Sequence, residues 1–221
     1  HSFPTRRSSD LLVEAMSGLE GDLLILGAGG KMGPTLAMLA RRAVAQAGVD
    51  TRVIGVSRFS EPEVAEKLHQ AGVETISTNL MDEGALAELP DAANVIYMVG
   101  AKFGTLGQEH RTWAINTFLP GLVAQRFVAF SSGNIYPFTP VVGGNCIEDT
   151  PPAPVGEYGQ SVLGRERIFS YFSRQFGTPL LLFRLNYAVE LRYGVLLDIA
   201  RRVWLGEPIN VSMGHVNVIW Q

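Results

Sequence analysis

The sequence predicts an α/β chain built on a doubly wound parallel sheet, followed by the start of a small C-terminal subdomain. Three observations carry that expectation. Short apolar runs of strand length alternate with longer stretches of helical apolar spacing. The glycine-rich stretch Gly27-Ala28-Gly29-Gly30-Lys31-Met32-Gly33 sits where the first apolar run, Asp22 to Leu26, hands over to a helical pattern. The 221 residues are 47% hydrophobic and 18% charged with net charge −3, which suits one globular domain with part of a second.

The glycines are explained by what a strand-to-helix handover around an anion needs. Gly27 can take the backbone angles of a tight turn, Gly30 leaves room for a pyrophosphate, and Gly33 lets the helix pack close to the strand. The N–H groups of Lys31, Met32 and Gly33 at the helix start favour a phosphate. Gly29 allows a second reading, G-x-G-x-x-x-G, and the competing explanation is a glycine-rich turn in any α/β protein. The helix that follows is marked by Leu36, Leu39, Ala40, Ala43, Val44 and Ala47.

The remaining elements follow in order. Leu11 to Leu19 forms a short helix before the first strand. Further strands fall at 51–57, 73–77, 94–99, 127–131 and 179–185, and helices at 61–71, 83–89, 108–126 and 158–176. Pro120 is expected to disturb the helix over 108–126, and the passage from Arg126 to Phe127 leaves almost no linker. Residues 133–157, rich in Gly and Pro, read as a long loop of the kind that often serves function. Residues 1–10 resemble the translation of a sequencing-library adapter and are expected to be a non-native tail. Residues 11–185 form the sheet domain, and 186–221 a truncated substrate-binding subdomain, so the chain reads as a fragment.

Composition narrows the function. Mild acidity gives no reason to expect nucleic acid or membrane binding, and no apolar run reaches the length of a membrane span. One cysteine, Cys146, excludes an intramolecular disulfide and suits the reducing cytoplasm. Four scattered histidines with one cysteine make no zinc set, so no metal is expected.

Candidate site residues cluster at strand ends. Ser57-Arg58 ends the second strand, where a carboxylate would read a ribose 2′-hydroxyl; a basic residue there favours NADP over NAD. The competing view is a solvated Arg58. Asn79 and Leu80 would border the adenine. Gly100 and Ala101, after the fourth strand, would let the backbone approach a cofactor, whereas Lys102 reads as a solvated charge. Ser132 ends the fifth strand, where a hydroxyl can bond a substrate oxygen or merely close a turn. Tyr158 opens a helix on which Tyr158, Val162, Phe169, Phe172 and Phe176 share a face. It is either an acid/base or the first member of a buried aromatic stripe.

Together these residues resemble the extended short-chain dehydrogenase/reductases of the NAD-dependent epimerase/dehydratase family, over roughly Asp22 to Gln221. The matching pieces are LGAGGKMG, MVGAK, Asn116 in its helix, SSGNIYP, YGQSV followed by Glu166, and RLNYAV with GEPI. The resemblance implies a Rossmann-type NAD(P)-binding domain, Asn116 near the cofactor, Ser132 as substrate hydrogen-bond donor and Tyr158 as acid/base. Asn134, Asn186 and Tyr187 would then meet a sugar-type, nucleotide-linked small-molecule substrate. The sugar dehydratases' acidic pair is replaced by Gly133-Asn134, which argues against dehydration. The family's motif lysine is replaced by Val162. Arg165, about 10 Å further along the helix axis, is expected to lie off the Tyr158 face. Two functions follow: an epimerase or oxidoreductase, favoured by Ser132, Asn116 and Tyr158, or an NAD(P)-binding or sensor protein, favoured by Val162. A non-nucleotide α/β interaction protein is the third reading. A homodimer is left open.

Overall fold

The computed structural model describes residues 8–101, 107–123 and 127–221. Six parallel strands, β1 (Leu23–Leu26), β2 (Val53–Ser57), β3 (Glu74–Ser77), β4 (Asn94–Tyr97), β5 (Phe127–Ser132) and β6 (Leu180–Leu185), form one sheet in the order β3-β2-β1-β4-β5-β6. The order reverses between β1 and β4, which makes their carboxyl ends the topological switch point. Register there pairs Leu26 with Tyr97 across β1 and β4.

Every residue of β1 is buried, as a strand covered on both faces requires. Leu23 and Ile25 face one side, packed with Ala37, Ala40 and Val44 of α2 (Gly33–Ala47) and Leu68 of α3 (Pro62–Gln70). Leu24 and Leu26 face the other, with Tyr97, Leu119 and Phe169. Both core layers are therefore built by the period-2 alternation of the strands. On α2 the buried positions include Ala37, whereas Leu39, expected on the apolar face, is exposed.

Helix α1 (Ser8–Ser17) begins inside the segment expected to be a tail, and Met16 and Leu19 pack against the α2 layer. Helix α4 (Glu83–Ala87) is capped by Asp82, whose carboxylate accepts from the N–H groups of Gly84 and Ala85. The expected helix over 108–126 is realised as α5 (Glu109–Trp113), a π-helical segment (Ala114–Phe118) and α6 (Leu119–Leu122). The disturbance expected at Pro120 lies just upstream of it. Proline clashes with the carbonyl four residues back and has no N–H to offer it, and that carbonyl belongs to Asn116. Arg126 and the tight passage into β5 lie outside the described residues.

The loop after β5 starts with a 3₁₀ turn, Gly133–Ile135, and leads to α7 (Gly156–Phe176). Beyond β6, a second sheet pairs β7 (Tyr187–Val189) with β8 (Val218–Trp220), and α8 (Val195–Leu205) lies between them. These three elements have no counterpart in the sequence-based assignment. Among the described residues no helix is long and apolar enough to cross a membrane.

Candidate active site

The glycine loop lies at the switch point, and two of its key glycines, Gly27 and Gly33, are required by close approaches. Gly27 has φ +91°, and a Cβ there would stand 3.0 Å from the backbone of Met98 and Val99, just beyond β4. A Cβ at Gly33 would stand 2.3 Å from the Ala28 carbonyl, so α2 packs directly on the loop. Gly30 is different. It is exposed, and among the described residues the one close atom a Cβ would meet is the Gly27 carbonyl at 3.3 Å. Met32 caps α2 without a side-chain hydrogen bond, which leaves the helix start open to an anion. An open cradle over Gly30 at an uncapped helix N-terminus fits a dinucleotide pyrophosphate. The exposed Lys31 sends its ammonium over the Tyr193 ring, 5.1 Å from its centroid.

At the end of β2, Ser57 abuts the loop: a Cβ at Gly29 would stand 2.6 Å from Ser57 Oγ. Arg58 is exposed, and its carbonyl accepts from Ser77 Oγ at 3.2 Å. Asn79 is an exposed turn residue whose Oδ1 accepts from the Met81 N–H, while Leu80 points into the core. Lys102 lies outside the described residues.

Around the end of β5 the predicted residues come together. Ser132 Oγ accepts from the Asn134 N–H at 3.2 Å. A Cβ at Gly133 would stand 2.7 Å from Asn186 Oδ1, so the residue after β6 sits against the turn carrying Ser132. That contact supplies a physical reason for glycine where dehydratases carry an acid. A Cβ at Gly159 would stand 2.7 Å from the Asn134 carbonyl, so the first turn of α7, with Tyr158, docks on the same turn. Trp113 Nε1 donates to Glu157 at 2.6 Å and ties α5 to that helix start. Tyr187 follows Asn186 in β7, and burial raises its phenol above the usual tyrosine range.

Asn116 is fully buried within the π-helical segment, a distortion often found at functional sites. Its Oδ1 accepts from the Ala101 N–H at 2.9 Å and from Arg165 Nη2 at 2.5 Å, and its Nδ2 donates to Ser161 Oγ at 2.9 Å. Its amide is thus committed inside the protein, and it holds the backbone of Ala101, beyond the end of β4.

Arg165 corrects the expectation from sequence. Seven residues at about 3.6 per turn make almost two whole turns, so Arg165 shares the Tyr158 face. It is 6% exposed, and a Cβ at Gly100 would stand 2.8 Å from its Nη2. Burial lowers its pKa, against attraction to Tyr97, Tyr158 and Glu166. Val162 is 1% exposed, and Phe169 is buried, but Phe176, expected on the same stripe, is 62% exposed and stacks on Phe172. The buried face of α7 instead includes Ser161, Arg165 and Glu166. Sequence reasoning missed Ser161. The available signal was a helix whose inward positions mix small and polar residues opposite a proline-disturbed helix.

The profile of the NAD dependent epimerase/dehydratase family matches residues 23–189. Among functionally curated proteins, none matches significantly. The chain is similar to the structure of a Tyr-to-Phe variant of UDP-glucuronic acid 4-epimerase from Bacillus cereus, crystallised with UDP-4-deoxy-4-fluoro-glucuronic acid and NAD. Identity is 15% and TM-score 0.75, covering 90% of this chain and 69% of that one. It is similar to UDP-N-acetylglucosamine 4-epimerase from Methanobrevibacter ruminantium, at 16% identity and TM-score 0.73, covering 90% and 68%. The Bordetella bronchiseptica enzyme WbmG in complex with NAD matches at 20% identity and TM-score 0.67, covering 87% and 62%. The chain therefore spans about two thirds of the length of these structures.

Proposed function

This chain belongs to the NAD dependent epimerase/dehydratase family, and from that premise we propose that it is an NAD(P)-dependent epimerase or oxidoreductase of a nucleotide-linked sugar. The observation that carries the reading is the convergence at the end of β5. Gly133 against Asn186 and Gly159 against the Asn134 carbonyl draw Ser132, Tyr158 and Asn186 around one turn. The similar structures, UDP-sugar 4-epimerases of which the Bacillus cereus one holds NAD, support the same substrate and cofactor class.

The roles follow from chemistry. Gly27, Gly30 and Gly33, with the N–H groups at the start of α2, hold the pyrophosphate. The nicotinamide, when bound, accepts and returns a hydride. Tyr158 takes and returns the proton of the reacting hydroxyl, and Ser132 donates a hydrogen bond to the same oxygen. Asn134, Asn186 and Tyr187 hold the sugar nucleotide. Gly100 and Ala101 form the floor under the cofactor, supported by Asn116. The exposed Arg58 favours NADP through its 2′-phosphate.

The test is titration of NADH and NADPH by nicotinamide fluorescence, followed by NMR observation of UDP-sugar interconversion, with Tyr158→Phe as control. Binding with Tyr158-dependent interconversion supports the reading; interconversion that survives Tyr158→Phe removes Tyr158 from the chemistry. One observation favours a second reading. Val162, buried at the family's lysine position, suits a protein that binds NAD(P) without turnover, and binding without interconversion of any sugar nucleotide would select it.

A further inference from the structure

Position 162 carries no charge, but a guanidinium is buried one turn further along α7 and engages three acceptors. Arg165 donates from Nη2 to Asn116 Oδ1 at 2.5 Å, from Nε to the Asn116 carbonyl at 3.3 Å, and from Nη1 to the Phe130 carbonyl at 2.9 Å. The Asn116 carbonyl is within its reach because Pro120, four residues on, has no N–H to donate to it.

These bonds dictate the direction of every bond beyond them. Asn116 Oδ1 receives two donors, Arg165 and the Ala101 N–H. If the amide were flipped, its NH₂ group would face both donors with no acceptor between them. Nδ2 is therefore turned to Ser161 Oγ. That oxygen, already accepting, sends its proton to the Tyr158 carbonyl at 2.9 Å. Hydrogen bonds run unbroken from Arg165 to the backbone of Tyr158 on one side and to the backbone of Ala101 on the other. Asn116 and Ser161 are both fully buried, so water does not compete for the bonds from Arg165 to Asn116 and from Asn116 to Ser161 at the centre of the network.

We propose that Arg165 is a positioning residue: it orients Asn116, and through Asn116 and Ser161 it sets both the helical turn carrying Tyr158 and the Gly100–Ala101 backbone beyond β4 that faces the dinucleotide. The inference rests on the reading of Tyr158 as the acid/base. It assigns to position 165 the task of holding the site together in a chain whose position 162 is apolar. A lysine would do this poorly, because one ammonium cannot span the Asn116 amide and the Phe130 carbonyl in a plane as a guanidinium does.

The test uses protein labelled with 3-fluorotyrosine, with Tyr158→Phe assigning the fluorine resonance of position 158. The variants are Ser161→Ala, Arg165→Met and Arg165→Lys, and the second readout is NADH and NADPH affinity. Ser161→Ala and Arg165→Met should both shift or broaden the 158 resonance. Arg165→Met should also weaken dinucleotide binding about tenfold, as loss of a charged hydrogen-bond donor does. Arg165→Lys should recover part of both effects. An unchanged 158 resonance in Ser161→Ala overturns the proposal, and that variant decides the matter even if Arg165→Met does not fold. If the wild-type protein binds neither dinucleotide, the cofactor reading fails, while the fluorine signal still decides the role of Arg165.

Discussion

Arg184 of β6 grips Glu166 of α7 with two hydrogen bonds, Nε to Oε1 at 3.1 Å and Nη2 to Oε2 at 2.9 Å. Ser131 Oγ donates to the same carboxylate, and Arg184 Nη1 reaches Tyr136 OH at 2.7 Å and the Glu148 carbonyl at 2.9 Å. One cation thus ties the sheet, the helix bearing Tyr158 and the long loop after β5. The Glu166 side chain is only 4% exposed, so removing its partner strands a buried charge. Arg184→Met should cost about 3 kcal/mol, or roughly 6–12 °C in Tm for a chain of this size. Thermal unfolding checks it. A loss below about 1 kcal/mol would mean that the pair behaves as a surface ion pair.

Gly33 and Gly30 separate stability from binding. Gly33→Ala places a Cβ 2.3 Å from the Ala28 carbonyl and should destabilise the fold strongly, by about 2–4 kcal/mol. Gly30→Val meets one tight contact, the Gly27 carbonyl at 3.3 Å from its Cβ, and should cost less stability than Gly33→Ala, about 1 kcal/mol, while abolishing NADH and NADPH binding. Calorimetry and nicotinamide fluorescence on both variants check the contrast. Retained binding in Gly30→Val would move the pyrophosphate away from this loop.

Arg58 is exposed at the end of β2. If it meets the 2′-phosphate, Arg58→Ala should weaken NADPH by about one to two decades, the worth of a charge-assisted hydrogen bond, and leave NADH nearly unchanged. Paired titrations decide it, and equal effects on both dinucleotides would place Arg58 outside the adenosine site.

Val162→Lys inserts an ammonium where only 1% of the present side chain is exposed. Burial disfavours the charged form, so the folded-state pKa of this lysine should fall below its unfolded value near 10.4. The stability penalty is then full below the folded-state pKa, shrinks as pH rises from that value towards the unfolded one, and is gone above it. The Tm gap between wild type and variant should narrow from pH 7 to about pH 10. A gap independent of pH would mean that the ammonium has reached solvent. If the catalytic reading holds, the same variant should raise turnover at neutral pH.

Asp22 Oδ2 accepts from Arg52 Nε at 3.0 Å and from Nη2 at 2.5 Å, and Oδ1 accepts from the Arg52 N–H at 3.2 Å. These bonds hold the Asp22 carboxyl below its ordinary value, more than its partial burial raises it. Its contribution is present above the unfolded pKa near 3.9 and is lost as pH falls through the lower folded value. Asp22→Asn should cost up to about 1 kcal/mol at pH 7, with the difference closing in strongly acidic solution. Thermal unfolding against pH measures it; a difference that grows on acidification would contradict the sign.

The sheet and the dinucleotide loop were legible in the sequence because both are local. Strand runs such as Leu23–Leu26 and glycines at a strand-to-helix handover are dictated by backbone sterics and burial over a few residues. The family resemblance likewise rested on short contiguous motifs, and Pro120 announced a helix defect because its missing N–H is a property of the residue itself. What the tertiary structure alone decided is which distant groups share a face or a hydrogen bond. Arg165, expected off the Tyr158 face, lies on it by helical spacing alone, but its burial, like the exposure of Phe176 at the end of the expected aromatic stripe, is decided by what packs against α7. The folded α7 buries Ser161, Arg165 and Glu166, since facing elements offer them Asn116, the Phe130 carbonyl, Ser131 and Arg184. The absence of a side chain at Gly133 acquires its meaning only from Asn186, 53 residues later. A polar residue can be buried only if partners from other elements satisfy it, and those partners exist only once the chain has folded.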